Sequence, residues 1–112
     1  MNFTLTDIVK DSQARDQIHK SNLKAGDTII LKTNNSVYFV KVQEQEQYLV
    51  SGGWFDKNNL SPATTTINGC TWGGSIIKNN IIAACGLHLE FGNKIVTSRI
   101  NKIFHISSFR GN

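Results

Sequence analysis

Short runs of β-branched and aromatic residues, separated by turn residues, dominate this chain and predict strands more often than helices. The clearest pair is Thr28–Thr33 and residues 36–42, with Asn34 and Asn35 between them. Asparagine tolerates the left-handed backbone of a tight turn, so these two runs predict a β-hairpin. Both faces of the second run are partly apolar, which favours a central strand whose second side is covered by a helix or a partner.

Further runs of strand-like composition recur between turn residues, at residues 48–51, 64–71, 75–77, 80–84, 86–91, 94–98 and 100–106. Residues 86–91 alternate, and the alternation places Leu87, Leu89 and Phe91 inward. Many short strands with frequent turns predict a mostly β fold, either a compact sandwich or a small barrel of roughly six to eight strands. Glycine-marked corners favour a strongly bent, SH3-like barrel.

The beginning of the chain predicts a helix over residues 6–20, because this stretch has no glycine or proline and Thr6 can cap it. Its apolar face is poor, so the helix is expected at the periphery of the fold, or as a partner-binding segment that orders on contact. The predicted organisation is an N-terminal helix and cap at 1–22, a single β-barrel domain at 23–108 and a frayed tail at 109–112.

The length of 112 residues suits one domain with one hydrophobic core. The longest apolar run, residues 81–85, is far below the roughly 20 residues that would span a bilayer. No secretory signal is visible in the first residues, so we expect a cytoplasmic protein with no membrane contact. In that compartment Cys70 and Cys85 are expected as reduced, buried thiols.

Two tryptophans lie beside glycine pairs, in Gly52-Gly53-Trp54 and Trp72-Gly73-Gly74. Exposed rings could stack on a ligand while a nearby lysine meets an anion, and the candidate binding residues are therefore Trp54, Phe55, Lys57, Trp72 and Lys78. The competing interpretation is structural and is preferred. Buried tryptophans would fill the space beside glycines at barrel corners.

Catalytic and metal-binding constellations are weak. Cys70, Cys85, His88 and His105 include the residue types of a zinc site, but Cys85 and His88 are three apart in a predicted extended region and face opposite sides. Cysteine and histidine pairs for nucleophilic catalysis have no supporting local motif. The glycine-rich residues 69–75 lack the Gly-Lys-Ser/Thr end of a phosphate loop. We predict no metal, no cofactor and no catalytic residue.

Several turn and glycine motifs are similar to those of short bacterial β proteins of uncharacterised function. They are Asn35-Ser36-x-Tyr38, Gly52-Gly53-x-Phe55, Gly69-x-Thr71-x-Gly73-Gly74-Ser75, Gly86-x-x-Leu89-Glu90 and Val96-Thr97-Ser98. The resemblance spans residues 24–103 and names no family. It implies a shared β fold and brings no activity or site residues with it.

These observations predict a non-catalytic binding or interaction module for a macromolecule, either a protein partner or a second copy of the chain. The formal net charge of +4 keeps a nucleic-acid-binding module open as the alternative, with aromatic and lysine contacts. An enzyme with a cysteine and histidine site is the minor alternative.

Overall fold

The structure is a computed structural model that describes residues 13–73 and 76–108. Strands dominate these residues, and a short 3-10 turn at Lys20–Asn22 and one helix complete them. In chain order the elements are β1 Gln13–Arg15, β2 Gln17–His19, β3 Thr28–Thr33, β4 Val37–Val42, β5 Tyr48–Gly52, α1 Gly53–Lys57, β6 Ala63–Thr65, β7 Ile67–Thr71, β8 Ile77–Lys78, β9 Ile81–Ala84, β10 His88–Phe91 and β11 Ile100–Ile106.

The described strands pair into three antiparallel sheets. The largest has six strands in the order β1-β11-β3-β4-β5-β6, and the smaller sheets have the orders β10-β7-β8 and β2-β9. The mostly β fold class is therefore confirmed. No ring of pairings closes among residues 13–73 and 76–108, so the SH3-like barrel stays a prediction.

The predicted hairpin is confirmed. β3 and β4 pair with Ile29 opposite Val40 and Leu31 opposite Tyr38, and all four side chains are buried. β4 lies between β3 and β5, which makes it a central strand, as its two partly apolar faces predicted. Local sequence is sufficient here because the two strands are neighbours in the chain and share one short turn.

One hydrophobic core joins the three sheets. Side chains from every sheet contribute to it, including Val50 of the large sheet, Leu89 of the β10-β7-β8 sheet and Ala83 of the β2-β9 sheet. Leu87, Leu89 and Phe91 are all buried, so the inward positions predicted from the alternation are confirmed. The sheets are thus walls of a single packed interior.

The predicted N-terminal helix is wrong for residues 13–19, which form β1 and β2. In β2, Ile18 pairs with Ala83 and is buried in the core. The weak helical amphipathicity of this stretch is outweighed by backbone pairing and burial that only distant strands provide. The first part of the predicted helix, residues 6–12, and the predicted tail at 109–112 lie outside the described residues.

Two other strand predictions need correction. Residues 64–71 are divided between β6 and β7, because the chain leaves the six-stranded sheet after Thr65 and enters the β10-β7-β8 sheet at Ile67. Residues 94–98 contain only an isolated bridge between Val96 and Glu90. Beside that bridge, the backbone N–H of Leu89 donates to the Thr97 hydroxyl, so a side chain replaces part of a backbone ladder.

The first glycine pair forms a sharp corner between β5 and α1. Gly52 has φ 93°, and a Cβ there would overlap the carbonyl oxygen of Val37 on the paired strand. The carboxylate of Asp56 closes the corner by accepting a hydrogen bond of 3.0 Å from the Gly52 N–H. Within the described residues, no helix has the length and apolar character needed to cross a membrane.

Candidate binding surface at the end of β7 and β8

The first tryptophan and its neighbour belong to the packed corner. Phe55 on α1 is 1% exposed, and its ring centroid lies 5.0 Å from that of Phe91 at an interplanar angle of 87°. Trp54 is half-buried, packs against the core and meets Phe55 edge to face at 5.2 Å. Edge-to-face pairs of this kind stabilise a core. Lys57 is exposed at the end of the same helix.

The second tryptophan has the opposite environment. Trp72 follows β7 directly and is 60% exposed, and Ile76, just before β8, is 73% exposed. The Lys78 ammonium nitrogen lies 4.8 Å from the centroid of the Trp72 ring, within the range of a cation–π contact. The structure therefore brings Trp72 and Lys78 together. Trp54 and Phe55 lie elsewhere, in the packed corner at α1.

Strand register explains why these side chains gather. Thr71 pairs with Ile77 and Cys70 pairs with Lys78, so continuing the register places Trp72 opposite Ile76. Residues two apart on a strand, and residues opposite each other on paired strands, share one face of a sheet. We call Trp72, Ile76 and Lys78 together the Trp72 surface.

The Trp72 surface continues a buried face beyond the edge of the core. Cys70, two residues before Trp72 on the same face, is completely buried. On the opposite face His88 pairs with Thr71, and its Nδ1 donates a hydrogen bond of 2.9 Å to the carbonyl oxygen of Thr97. The strands that present Trp72 are thus anchored on both faces while their ends project into solvent.

Ile76 was not singled out by the sequence. It lies in a segment with little alternation, where an isoleucine reads equally well as core or surface. The register with β7 decides its position, and that register depends on the pairing of Thr71 and Cys70 with β8. No local signal marks it as exposed.

A second group of residues was also missed. Asp27, in the turn before β3, is 2% exposed, and its carboxylate accepts hydrogen bonds from the backbone N–H of Ser108 at 2.9 Å and of Lys24 at 3.2 Å. His105 Nε2 lies 2.9 Å from the same carboxylate. We call Asp27, His105 and Ser108 the Asp27 cluster. Its members are up to 81 residues apart, so no local motif could reveal it.

The hydrogen bonds of the Asp27 cluster stabilise the charged form of the Asp27 carboxyl. Burial acts to raise the pKa of the Asp27 carboxyl, but the hydrogen bonds from Ser108, His105 and Lys24 outweigh burial and lower that pKa. The charged form is therefore the stable one in the folded protein. The cluster ties the turn before β3 to the end of β11 and to residue 108.

His105 also lines a cleft of about 400 Å³, together with Gln17, Ile18, Ser21, Asn22 and Lys24. A serine in this cleft invites comparison with a nucleophile and base pair. His105 Nε2 is instead directed to the Asp27 carboxylate at 2.9 Å. This contact joins the Asp27 turn to the last strand as a hydrogen-bonded pair.

The two cysteines and two histidines weighed as zinc ligands have different environments and different partners. Burial raises the pKa of the Cys70 thiol to about 11, while Cys85 is exposed, so the expectation of two buried thiols is wrong for Cys85. His88 bonds to Thr97 and His105 to Asp27. Within residues 13–73 and 76–108, no three His, Cys, Asp or Glu side chains form a group that could hold a metal ion.

Comparison of the chain with protein-family models, with curated proteins and with solved structures found no match. The side chains of this molecule are therefore the only guide to its function. Of its candidate residues, those of the Trp72 surface offer the largest exposed apolar groups.

Proposed function

We propose that this protein is a non-catalytic binding module and that the Trp72 surface contacts its macromolecular partner, another protein or a second copy of the chain. The observation that supports this proposal is the exposure of Trp72 and Ile76, 60% and 73%, on one face beside a lysine. Large apolar side chains that share an exposed patch mark interaction sites more often than isolated ones do.

The exposed indole of Trp72 offers a large apolar area to a partner. A fully buried tryptophan removes up to about 250 Å² from water, so the exposed part of Trp72 corresponds to about 150 Å². At about 25 cal/mol per Å², covering it is worth about 4 kcal/mol before the costs of association. Tryptophan is also enriched among the residues that dominate binding energy at interfaces. Trp72 is accordingly the proposed anchor.

We propose a role without catalysis because the histidines and the buried cysteine that could act as a base or a nucleophile are engaged in the fold. His88 and His105 are each held by a structural hydrogen bond, and the pKa of the Cys70 thiol is far above neutral pH. A general base or nucleophile needs a free position beside a reacting group. The described residues therefore support a binding role better than a catalytic one.

Nucleic acid is the second candidate, and the pairing of Lys78 with Trp72 favours it. An exposed indole beside a cation is the unit from which single-strand platforms are built. We rank it below protein because Trp54 and Phe55, the other rings of the predicted platform, pack against the core. Ile76 offers apolar area without a flat ring for stacking.

The SH3-like barrel belongs to this proposal as the expected frame of the binding surface. The shared core of the three sheets supports a strongly bent arrangement, and the glycine corner at Gly52 supplies one bend. An experimental structure that includes residues 1–12, 74–75 and 109–112 would test whether the strands close.

The test of the binding role compares Trp72→Ala with Leu60→Ala, a matched control because Leu60 is 50% exposed elsewhere on the surface. Each tagged variant is incubated with lysate of the source organism, with and without nuclease, and the captured proteins are quantified. Sedimentation velocity measures self-association of the same variants.

The proposal expects a partner, or a self-associated species, that survives nuclease and Leu60→Ala and is lost with Trp72→Ala. Capture that disappears with nuclease, and that weakens steeply with added salt, would favour the nucleic-acid alternative. Equal behaviour of wild type and Trp72→Ala in every arm would refute the Trp72 surface as the contact site.

A further inference from the structure

The edge of the β10-β7-β8 sheet lies directly beside the Trp72 surface. β8 is the last strand in the order of this sheet, so its outer side has no strand partner among the described residues. A Cβ on Gly69 of β7 would overlap the carbonyl oxygen of Lys78, which shows that this carbonyl faces inward. Backbone groups of successive strand residues point to opposite edges, so the N–H and C=O of Ile77 face outward.

An open strand edge attracts other strands, and proteins usually blunt it. β8 has two such features, because it is only two residues long and ends in an exposed lysine. A lysine repels a basic strand and accepts an acidic one. The edge is therefore selective: it disfavours indiscriminate aggregation and retains a site for a strand of complementary charge.

We infer that the partner engages this protein through an extended acidic segment that adds as a strand to the outer edge of β8. This inference rests on the proposed binding role of the Trp72 surface. The N–H and C=O of Ile77 pair with the backbone of the added strand. An apolar side chain of that strand packs on Ile76 and Trp72, and a carboxylate meets the Lys78 ammonium group.

The spacing on β8 specifies the spacing in the partner. Ile76 and Lys78 are two residues apart and share a face, so the apolar and acidic residues that contact them must also be two apart. Main-chain pairing supplies affinity in this mode of recognition, and the alternate side chains supply specificity. A short motif, with one acidic and one apolar residue separated by a single position, is sufficient.

Charge complementarity favours such a segment over a second copy of the chain. Two copies that met through β8 would each bring Lys78 to the shared edge, and neither Trp72 surface contains a carboxylate. The chain as a whole has a formal net charge of +4, which also steers an acidic segment toward it. An acidic peptide avoids the repulsion between two lysines and is attracted by the positive net charge.

The probe is a phage-displayed library of random dodecapeptides, selected separately on wild type and on Lys78→Glu. Selected peptides are synthesised with a fluorescent label, and their affinities for wild type and for each variant, including Trp72→Ala, are measured by fluorescence anisotropy. Each backbone amide of the best peptide is then N-methylated in turn. Lys78→Gln and Leu60→Ala serve as the neutral and the remote control.

Strand addition predicts wild-type peptides with an acidic and an apolar residue two positions apart, and at least tenfold weaker binding to Lys78→Glu. Selection on Lys78→Glu should exchange the acidic residue for a basic one. N-methylation should weaken binding at the one peptide amide that donates to the Ile77 carbonyl and be tolerated at the neighbouring amides, which face away from β8. Hydrogen exchange at the Ile77 amide should slow when the peptide binds.

Three results with selected peptides would overturn strand addition. They are peptides without the acidic residue, affinities unaffected by Lys78→Glu, and tolerance of N-methylation at all positions. If such peptides still lose binding with Trp72→Ala, the proposed binding role stands and only the mode of recognition fails. A library that yields no Trp72-dependent peptide also overturns strand addition, and the lysate capture with Trp72→Ala then decides the binding role separately.

Discussion

Replacing Asp27 by asparagine tests the most buried charge among the described residues. The carboxylate accepts hydrogen bonds from Lys24 N–H, Ser108 N–H and His105, whereas an amide has one oxygen and must turn its NH₂ toward at least one of these donors. A hydrogen bond to a charged group contributes about 1.5–3 kcal/mol. We therefore expect Asp27→Asn to lower the free energy of unfolding at pH 7 by about 2–3 kcal/mol.

The same substitution should remove a specific pH dependence. Folding lowers the pKa of Asp27 below its ordinary value of 3.8, so the unfolded state binds more protons than the folded state between these two values. In that window the free energy of unfolding rises with pH. The contribution is complete above the unfolded pKa and is lost as the pH falls through the folded pKa.

The assay is urea unfolding of wild type and Asp27→Asn at pH 7, 5, 4, 3 and 2, and Glu44→Gln, in an exposed loop, controls for general acid effects. The difference between wild type and Asp27→Asn should shrink as the pH falls below about 4, where Asp27 of the unfolded state takes up a proton. A difference that is below about 0.5 kcal/mol at pH 7, within the range of ordinary surface substitutions, would refute the assigned hydrogen bonds. One that persists undiminished at pH 2 would refute the assigned pKa.

Two other predictions use contrasts that the chain itself offers. Gly52→Ala should destabilise by about 3 kcal/mol or more, since its Cβ would overlap the Val37 carbonyl, whereas Gly86→Ala, at φ 88° with open space around it, should cost about 1–2 kcal/mol in the same urea assay; equal costs would contradict the tight corner. At pH 8, a thiol reagent should modify Cys85 in the native protein and Cys70 only after unfolding, because Cys70 is completely buried with a pKa near 11; prompt reaction of both native thiols would contradict this burial.

Local sequence predicted the hairpin of β3 and β4 correctly. It predicted the N-terminal helix wrongly. The hairpin was predictable because its two strands are separated by one turn and support each other's burial. In β1, Gln13 pairs with His105, and in β2, Ile18 pairs with Ala83, so the partners of both strands are far away in the chain. Helix propensity is a weak prior, and tertiary pairing of this kind overrides it.

The candidate site shows the same division. Trp72 and Lys78 were candidates on composition alone, and the β7 and β8 register joins them and adds Ile76. Phe55 was also a candidate, but α1 directs its ring into contact with Tyr38 and Phe91. Asp27 and His105 were not recognised as a pair, because their contact joins a turn to the last strand.

The sequence by itself determined a mostly β fold, its central hairpin and the inward positions of β10, because these depend on alternation and on neighbouring turns. Only the tertiary structure decided the separate environments of the two tryptophans. Both tryptophans are adjacent to a glycine pair in the sequence. Trp54 nevertheless lies on a helix that packs against the core, whereas Trp72 lies where two strands extend past the core. Burial is a property of what surrounds a side chain in space, and adjacency in the chain does not specify it.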